Sequence, residues 1–158
     1  MKLYMKQKVF SLKQDFEIYD ENKQAYFRVD GQLLSIGRKM RIFDARTEEE
    51  VAFIKEIVLT LFAKMEVYRQ DELVAVIKQK FSFLRPKFEI EEIGWHIEGD
   101  FWGYNYAILD TNGATVASIQ KKILSWSDTY EFEINDDKDT VTVMAVILAI
   151  DAIRDRKG

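Results

Sequence analysis

The sequence predicts a mainly β fold: a closed antiparallel meander barrel of twelve strands around one buried C-terminal hydrophobic helix. Three observations carry this. Short segments of strict apolar–polar alternation return about every 24 residues. Longer β-prone segments lie between them, joined by short polar turns. Near the end, Val141 to Ile150 contain no polar residue but Thr142.

The recurring unit is seen in FSLKQDFEIYD (10–20), LSIGRKMRIFD (34–44), LTLFAKMEVYR (59–69), FSFLRPKFEIEE (81–92) and LSWSDTYEFEI (124–134). Each has a small hydroxyl residue, a short turn and then alternation. Phe16 and Ile18, Met40 and Ile42, Met65 and Val67, Phe88 and Ile90, and Tyr130 and Phe132 share one face. Glu17, Arg41, Glu66, Glu89 and Glu131 share the other, as expected of a half-buried antiparallel strand. A sixth unit, DFWGYNYAILD (100–110), keeps Tyr106 and Ile108 but has Gly103 in place of the hydroxyl residue.

The longer strands are expected at 25–36, 51–61, 73–84, 95–103 and 115–126, and residues 7–12 supply the first strand. Asp30, Lys55, Lys78 and Lys121 suggest bends or bulges within them, with Gly31 and Gly99 easing close packing. Asn112-Gly113 is a two-residue hairpin signal, and the single proline, Pro86, falls in a turn.

The apolar segment is too short to span a bilayer. As a helix, about 14 residues cover roughly 21 Å, against roughly 30 Å of hydrocarbon. Met144, Ala145, Leu148, Ala149 and Ala152 favour helix, and the alternation stops here. Asp137 or Asp139 is placed to cap its start, and Arg154, Arg156 and Lys157 suit its negative end. A helix apolar all round must be buried all round. Closing the meander removes its edges, and twelve strands enclose more space than their own side chains fill. The helix, about 139–154, fills that space, and residues 1–158 form one domain with strands over about 7–134.

Composition narrows function. The net charge of −4 argues against nucleic acid as a partner. The absence of cysteine excludes disulfides, thiol nucleophiles and zinc–thiolate sites. The N-terminus lacks a signal-peptide core, so a cytoplasmic location is expected, peripheral to the membrane if lipid is bound. His96, the single histidine, lies in a strand between Trp95 and Ile97 and reads as structural. No nucleophile elbow, phosphate loop, dinucleotide fingerprint or zinc-protease motif occurs, so no catalytic residue, cofactor or enzymatic activity is assigned. The aromatic run FWGYNY (101–106), like Trp95, Trp102 and Trp126, reads as barrel packing rather than a stacking platform.

With the opening MKLYMKQKVFSLKQDFEIYDENKQAYFRVDGQLLSIGRKMRIFD, the repeat and the terminal helix in view, the chain resembles the LURP-one-related family, in particular bacterial members of YxjI type. The resemblance implies the tubby-like fold, a twelve-stranded barrel around a hydrophobic helix. It also implies kinship with phosphoinositide-binding tubby domains and with phospholipid scramblases. The scramblase resemblance extends to the acidic segment 127–139, whose counterpart is linked to calcium. Here Asp136, Asp137 and Asp139 are explained equally by helix capping, and no metal is assigned.

In a meander, alternate turns share an end. One end gathers Lys13, Arg38, Lys39, Lys64, Arg85 and Lys87, which are the candidate anion-binding residues; Arg154, Arg156 and Lys157 are expected to join that rim. The other end is mostly acidic. Basic turns of this kind are either solvated, complementing the helix dipole, or a site for phosphate. The expected function is a non-enzymatic binding or scaffold module, recognising anionic phospholipid or another phosphorylated ligand. The alternative is a protein–protein interaction module with no small ligand.

Overall fold

Antiparallel pairing between chain neighbours continues around a full circle in the computed structural model, which describes residues 1–6, 15–34, 37–58, 61–80, 87–124 and 127–155. The first four strands are β1 (Lys2–Met5), β2 (Phe16–Tyr19), β3 (Ala25–Leu34) and β4 (Gly37–Asp44). Then come β5 (Glu50–Glu56), β6 (Lys64–Arg69), β7 (Glu72–Lys80) and β8 (Lys87–Glu91). The last are β9 (Trp95–Asp100), β10 (Asn105–Leu109), β11 (Thr115–Leu124) and β12 (Ser127–Ile134). β12 pairs back onto β1, with Leu3 opposite Phe132, and closes the barrel.

The inward row is the one the alternation predicts. Ile18, Met40, Ile42, Met65, Val67, Ile90, Tyr106, Ile108, Tyr130 and Phe132 are buried. They pack against helix α1 (Thr140–Asp155), in which every residue from Thr142 to Arg154 is buried. The helix is apolar on all sides because a wall of strands faces it on all sides. No helix among the described residues is long and apolar enough to cross a membrane.

Two expectations change. The strand expected at 7–12 lies outside the described residues; the strand that completes the twelve is β1, where Leu3 and Met5 point inward. The mid-strand polar residues do not mark bulges, and Lys121 keeps continuous register with β12. Asp30, Lys55 and Lys78 keep continuous register with their neighbours and lie on the outward row, where water solvates a charge without breaking the ladder. The register shifts fall instead at the ends of the short strands, after Ile18, Ile42, Val67 and Ile108. Gly99 does permit a close approach: at φ +114°, a side chain there would meet the Asn105 carbonyl oxygen at 2.8 Å. Gly31 has no such role, since a side chain there would meet only Met40 Cγ at 4.0 Å.

Candidate functional site

Which charges remain available for a ligand depends on which ones the fold already uses, and the two ends of the barrel differ in this. At the end where the helix enters, carboxylates organise turns. Asp20 Oδ1 accepts from the amides of Asn22 (2.8 Å) and Gln24 (3.0 Å). Asp44 Oδ1 accepts from Arg46 (2.8 Å) and Thr47 (3.2 Å), and Asp110 Oδ1 from Asn112 (2.8 Å) and Ala114 (3.0 Å). These are the last residues of three repeat units, each folding the chain over its own side chain. The Arg46 amide, opposed by partial desolvation, holds the Asp44 carboxyl below its usual range.

The acidic approach to the helix is used in the same way. Asp136 Oδ1 accepts from the Lys138 amide at 3.1 Å and caps the 3₁₀ turn Asp137–Asp139, and Thr140 Oγ1 donates to the Asp137 carbonyl at 2.8 Å. Among the described residues no cluster of three acidic or imidazole side chains is placed to hold a metal ion.

At the end where the helix leaves, the candidate residues divide. Arg38 lies on the inward row, and its Nη1 donates to the Ala152 carbonyl at 2.7 Å, so it caps the helix. Arg154 does not join the rim. It is buried, with its guanidinium 3.6 Å from the Tyr104 ring centroid and 4.2 Å from that of Phe101. Its Nη1 lies 3.8 Å from Asp151 Oδ1, which also accepts from the Tyr104 hydroxyl at 3.1 Å. Burial, with the Asp151 charge, pushes the Tyr104 phenol well above its ordinary range, so it stays a donor. Phe101, Tyr104 and Tyr106 are core residues, as expected of the aromatic run; Trp102 is half exposed. Trp95 is buried, and Trp126, Arg156 and Lys157 lie outside the described residues. His96 is exposed on β9, with Nε2 3.7 Å from Glu98 Oε1.

Lys39, Lys64 and Lys87 are different: all three lie on the outward row. Register places Lys39 opposite Lys55, Lys64 opposite Lys78, and Lys87 opposite Lys80. Three like-charged pairs thus face one another directly across β4–β5, β6–β7 and β7–β8. Such pairs repel; on their other sides, register sets Lys55 opposite Glu66 and Lys78 opposite Glu89. Lys78 bonds Glu91 at 3.1 Å and Lys80 bonds Glu89 at 2.5 Å; the Lys78 bond holds the Glu91 carboxyl below its usual range. Lys39, Lys55, Lys64 and Lys87 have no ion pair among the described residues.

Lys13 and Arg85 lie outside the described residues. Lys55, Lys78 and Lys80, which the sequence did not pick out as candidates, join this face. The signal for them was the hairpin register, which sets the far end of each long strand against the start of the next short one.

An open groove of about 370 Å³ borders this face through Lys55 and is lined by Arg41, Glu50, Phe53 and Tyr68. Its own cation is already used: Arg41 Nη1 bonds Glu50 at 2.6 Å, and the guanidinium lies 4.5 Å from the Phe53 ring centroid.

Repeat, barrel and enclosed helix together agree with comparison to known proteins. The family model described as LURP-one-related matches residues 1–151. The chain belongs to the LURP-one-related family. A relative in Bacillus subtilis (strain 168), the uncharacterized protein YxjI, is 31% identical over 153 residues, covering 97% of this chain and 93% of that one. An X-ray structure of an Arabidopsis thaliana protein superposes with a TM-score of 0.60 at 16% identity, covering 93% of this chain and 89% of that one. At that identity the likeness speaks for the fold alone. The LURP-one-related barrel of this chain is therefore a scaffold whose activity must be argued from its own surface.

Proposed function

We propose that the protein is a non-enzymatic binding module whose outward lysine face recognises clustered phosphate groups. The observation that carries this reading is the set of facing lysine pairs, Lys39–Lys55, Lys64–Lys78 and Lys80–Lys87. The Lys39–Lys55 pair costs the fold repulsion that a bound polyanion relieves; in the other two pairs Lys78 and Lys80 are held by Glu91 and Glu89, which leaves Lys64 and Lys87 to meet the ligand. Arg38 and Arg154 at the same end have structural duties, at the helix terminus and in an aromatic cage. The tubby-like kinship implied by the sequence resemblance supports the same ligand class by analogy.

The test is calorimetric titration with inositol hexakisphosphate, a soluble polyphosphate probe, against the parent and Lys64→Glu/Lys87→Glu. The expected result is binding by the parent and a loss of about tenfold or more, about 1.4 kcal/mol, in the variant. Equal affinities would remove the lysine face as the site.

A further inference from the structure

Among the described residues, the large hydrophobic side chains left in water are Met1, Leu61, Phe62, Leu73 and Trp102. Leu61, Phe62 and Trp102 belong to connections at the end where the helix leaves; Met1 and Leu73 lie singly toward the other end. Leu61 is 91% exposed.

Both connections are anchored at their roots. Below Leu61 and Phe62, the Ile57 amide donates to the Lys64 carbonyl at 2.9 Å, the Gln79 amide donates to the Ala63 carbonyl at 3.0 Å, and Ala63 is buried. Beside Trp102, the Gly103 amide donates to Asp100 Oδ1 at 2.9 Å, and the Tyr104 amide donates to the Phe101 carbonyl at 3.3 Å. One side of the indole packs edge-on against Phe101, with ring centroids 5.5 Å apart, and Arg154 lies 5.6 Å from its own centroid. Trp102 is nevertheless 51% exposed, so the fold presents it rather than hides it.

One tip lies within the lysine face and the other lies beyond its β8 edge. In barrel order, Leu61 and Phe62 lie between β5 and β6 and Trp102 lies between β9 and β10, while the lysine pairs occupy β4 to β8. One end of the molecule therefore combines apolar tips, an amphipathic indole and an adjacent band of positive charge. A soluble phosphate has no use for the tips. An anionic bilayer suits both: its surface potential attracts lysines, and its interfacial layer accepts leucine, phenylalanine and especially tryptophan.

We propose that this end of the barrel docks on an anionic membrane surface, with Leu61, Phe62 and Trp102 entering the interfacial layer while the outward lysines meet lipid phosphates. The electrostatic half rests on the phosphate reading above; the insertion half rests on the tips alone.

The test uses the full chain with phosphatidylcholine vesicles containing or lacking phosphatidylserine, read by flotation and by quenching of tryptophan fluorescence with brominated lipid. Leu61→Ser/Phe62→Ser alters side chains that are 91% and 40% exposed, and thermal melting checks that it folds as the parent does. The expected result is flotation with phosphatidylserine vesicles only, falling by roughly tenfold in this variant, with unchanged affinity for inositol hexakisphosphate. Brominated lipid quenches the parent, and Trp102→Phe removes the quenching. Flotation that survives Leu61→Ser/Phe62→Ser, or an unquenched Trp102, overturns insertion. Inositol hexakisphosphate binding without flotation overturns the membrane as the phosphate source while leaving the lysine reading intact. Binding of neither overturns both.

Discussion

Arg38 and Ala152 are 114 residues apart in sequence, and the Arg38 guanidinium donates to the Ala152 carbonyl at 2.7 Å. This bond locks the outgoing end of the helix to the wall between β3 and β4. At the incoming end, Arg69 Nη1 donates to Thr142 Oγ1 at 3.2 Å and makes the matching tie. Arg38→Gln removes a charge-assisted bond to a helix terminus and should cost about 1.5–3 kcal/mol in urea unfolding. Affinity for inositol hexakisphosphate should stay within about twofold, because Arg38 serves the fold.

The helix core gives the strongest stability prediction. Ile147 and Ile150 are 3% and 1% exposed and belong to the hydrophobic core inside the barrel. Ile147→Asp or Ile150→Asp buries a carboxylate with no partner, at a cost of several kcal/mol. Neither variant should show a cooperative melt by circular dichroism. A soluble variant with a parent-like transition would contradict the helix placement.

The cage around Arg154 should behave as a coupled unit. Arg154→Met removes the guanidinium beside the buried Asp151 carboxylate and should lower stability. Adding Asp151→Asn should recover part of that loss, since the buried carboxylate charge is gone and Tyr104 keeps an acceptor. Denaturant unfolding of the parent, both single variants and the double variant measures the coupling; strict additivity would contradict it.

Asp44 makes a pH prediction. Its folded carboxyl titrates below the ordinary value of 3.8, chiefly because the Arg46 amide donates to it. A depressed carboxyl adds stability above its unfolded pKa and loses it as pH falls through the folded pKa. Asp44→Asn should therefore be less stable than the parent at pH 7, by about 1 kcal/mol, with the gap closing below about pH 4. Urea titrations at both pH values check the sign.

The barrel was legible in the sequence because one physical rule, inward apolar and outward polar, acts in every repeat. Met40 and Ile42 or Tyr130 and Phe132 show it without knowledge of any distant contact. The helix was legible for the converse reason: a run with no polar side is soluble only inside something. The duties of individual charges were less legible. Arg38 and Lys39 are adjacent in one turn, yet strand parity sends one to the helix terminus and the other to solvent. Arg154 looked like rim charge because a cage of Phe101 and Tyr104, about 50 residues upstream, leaves no local pattern. Lys55 and Lys78 looked like interruptions of strands until register paired them with Lys39 and Lys64.

The most direct test of the central claim is the salt dependence of inositol hexakisphosphate binding, compared for the parent, Arg38→Gln and Lys39→Glu/Lys64→Glu/Lys87→Glu. The account predicts affinity that falls steeply with salt in the parent and in Arg38→Gln, with binding and its salt dependence lost in the triple variant. Equal binding by parent and triple variant, or a loss confined to Arg38→Gln, would contradict it.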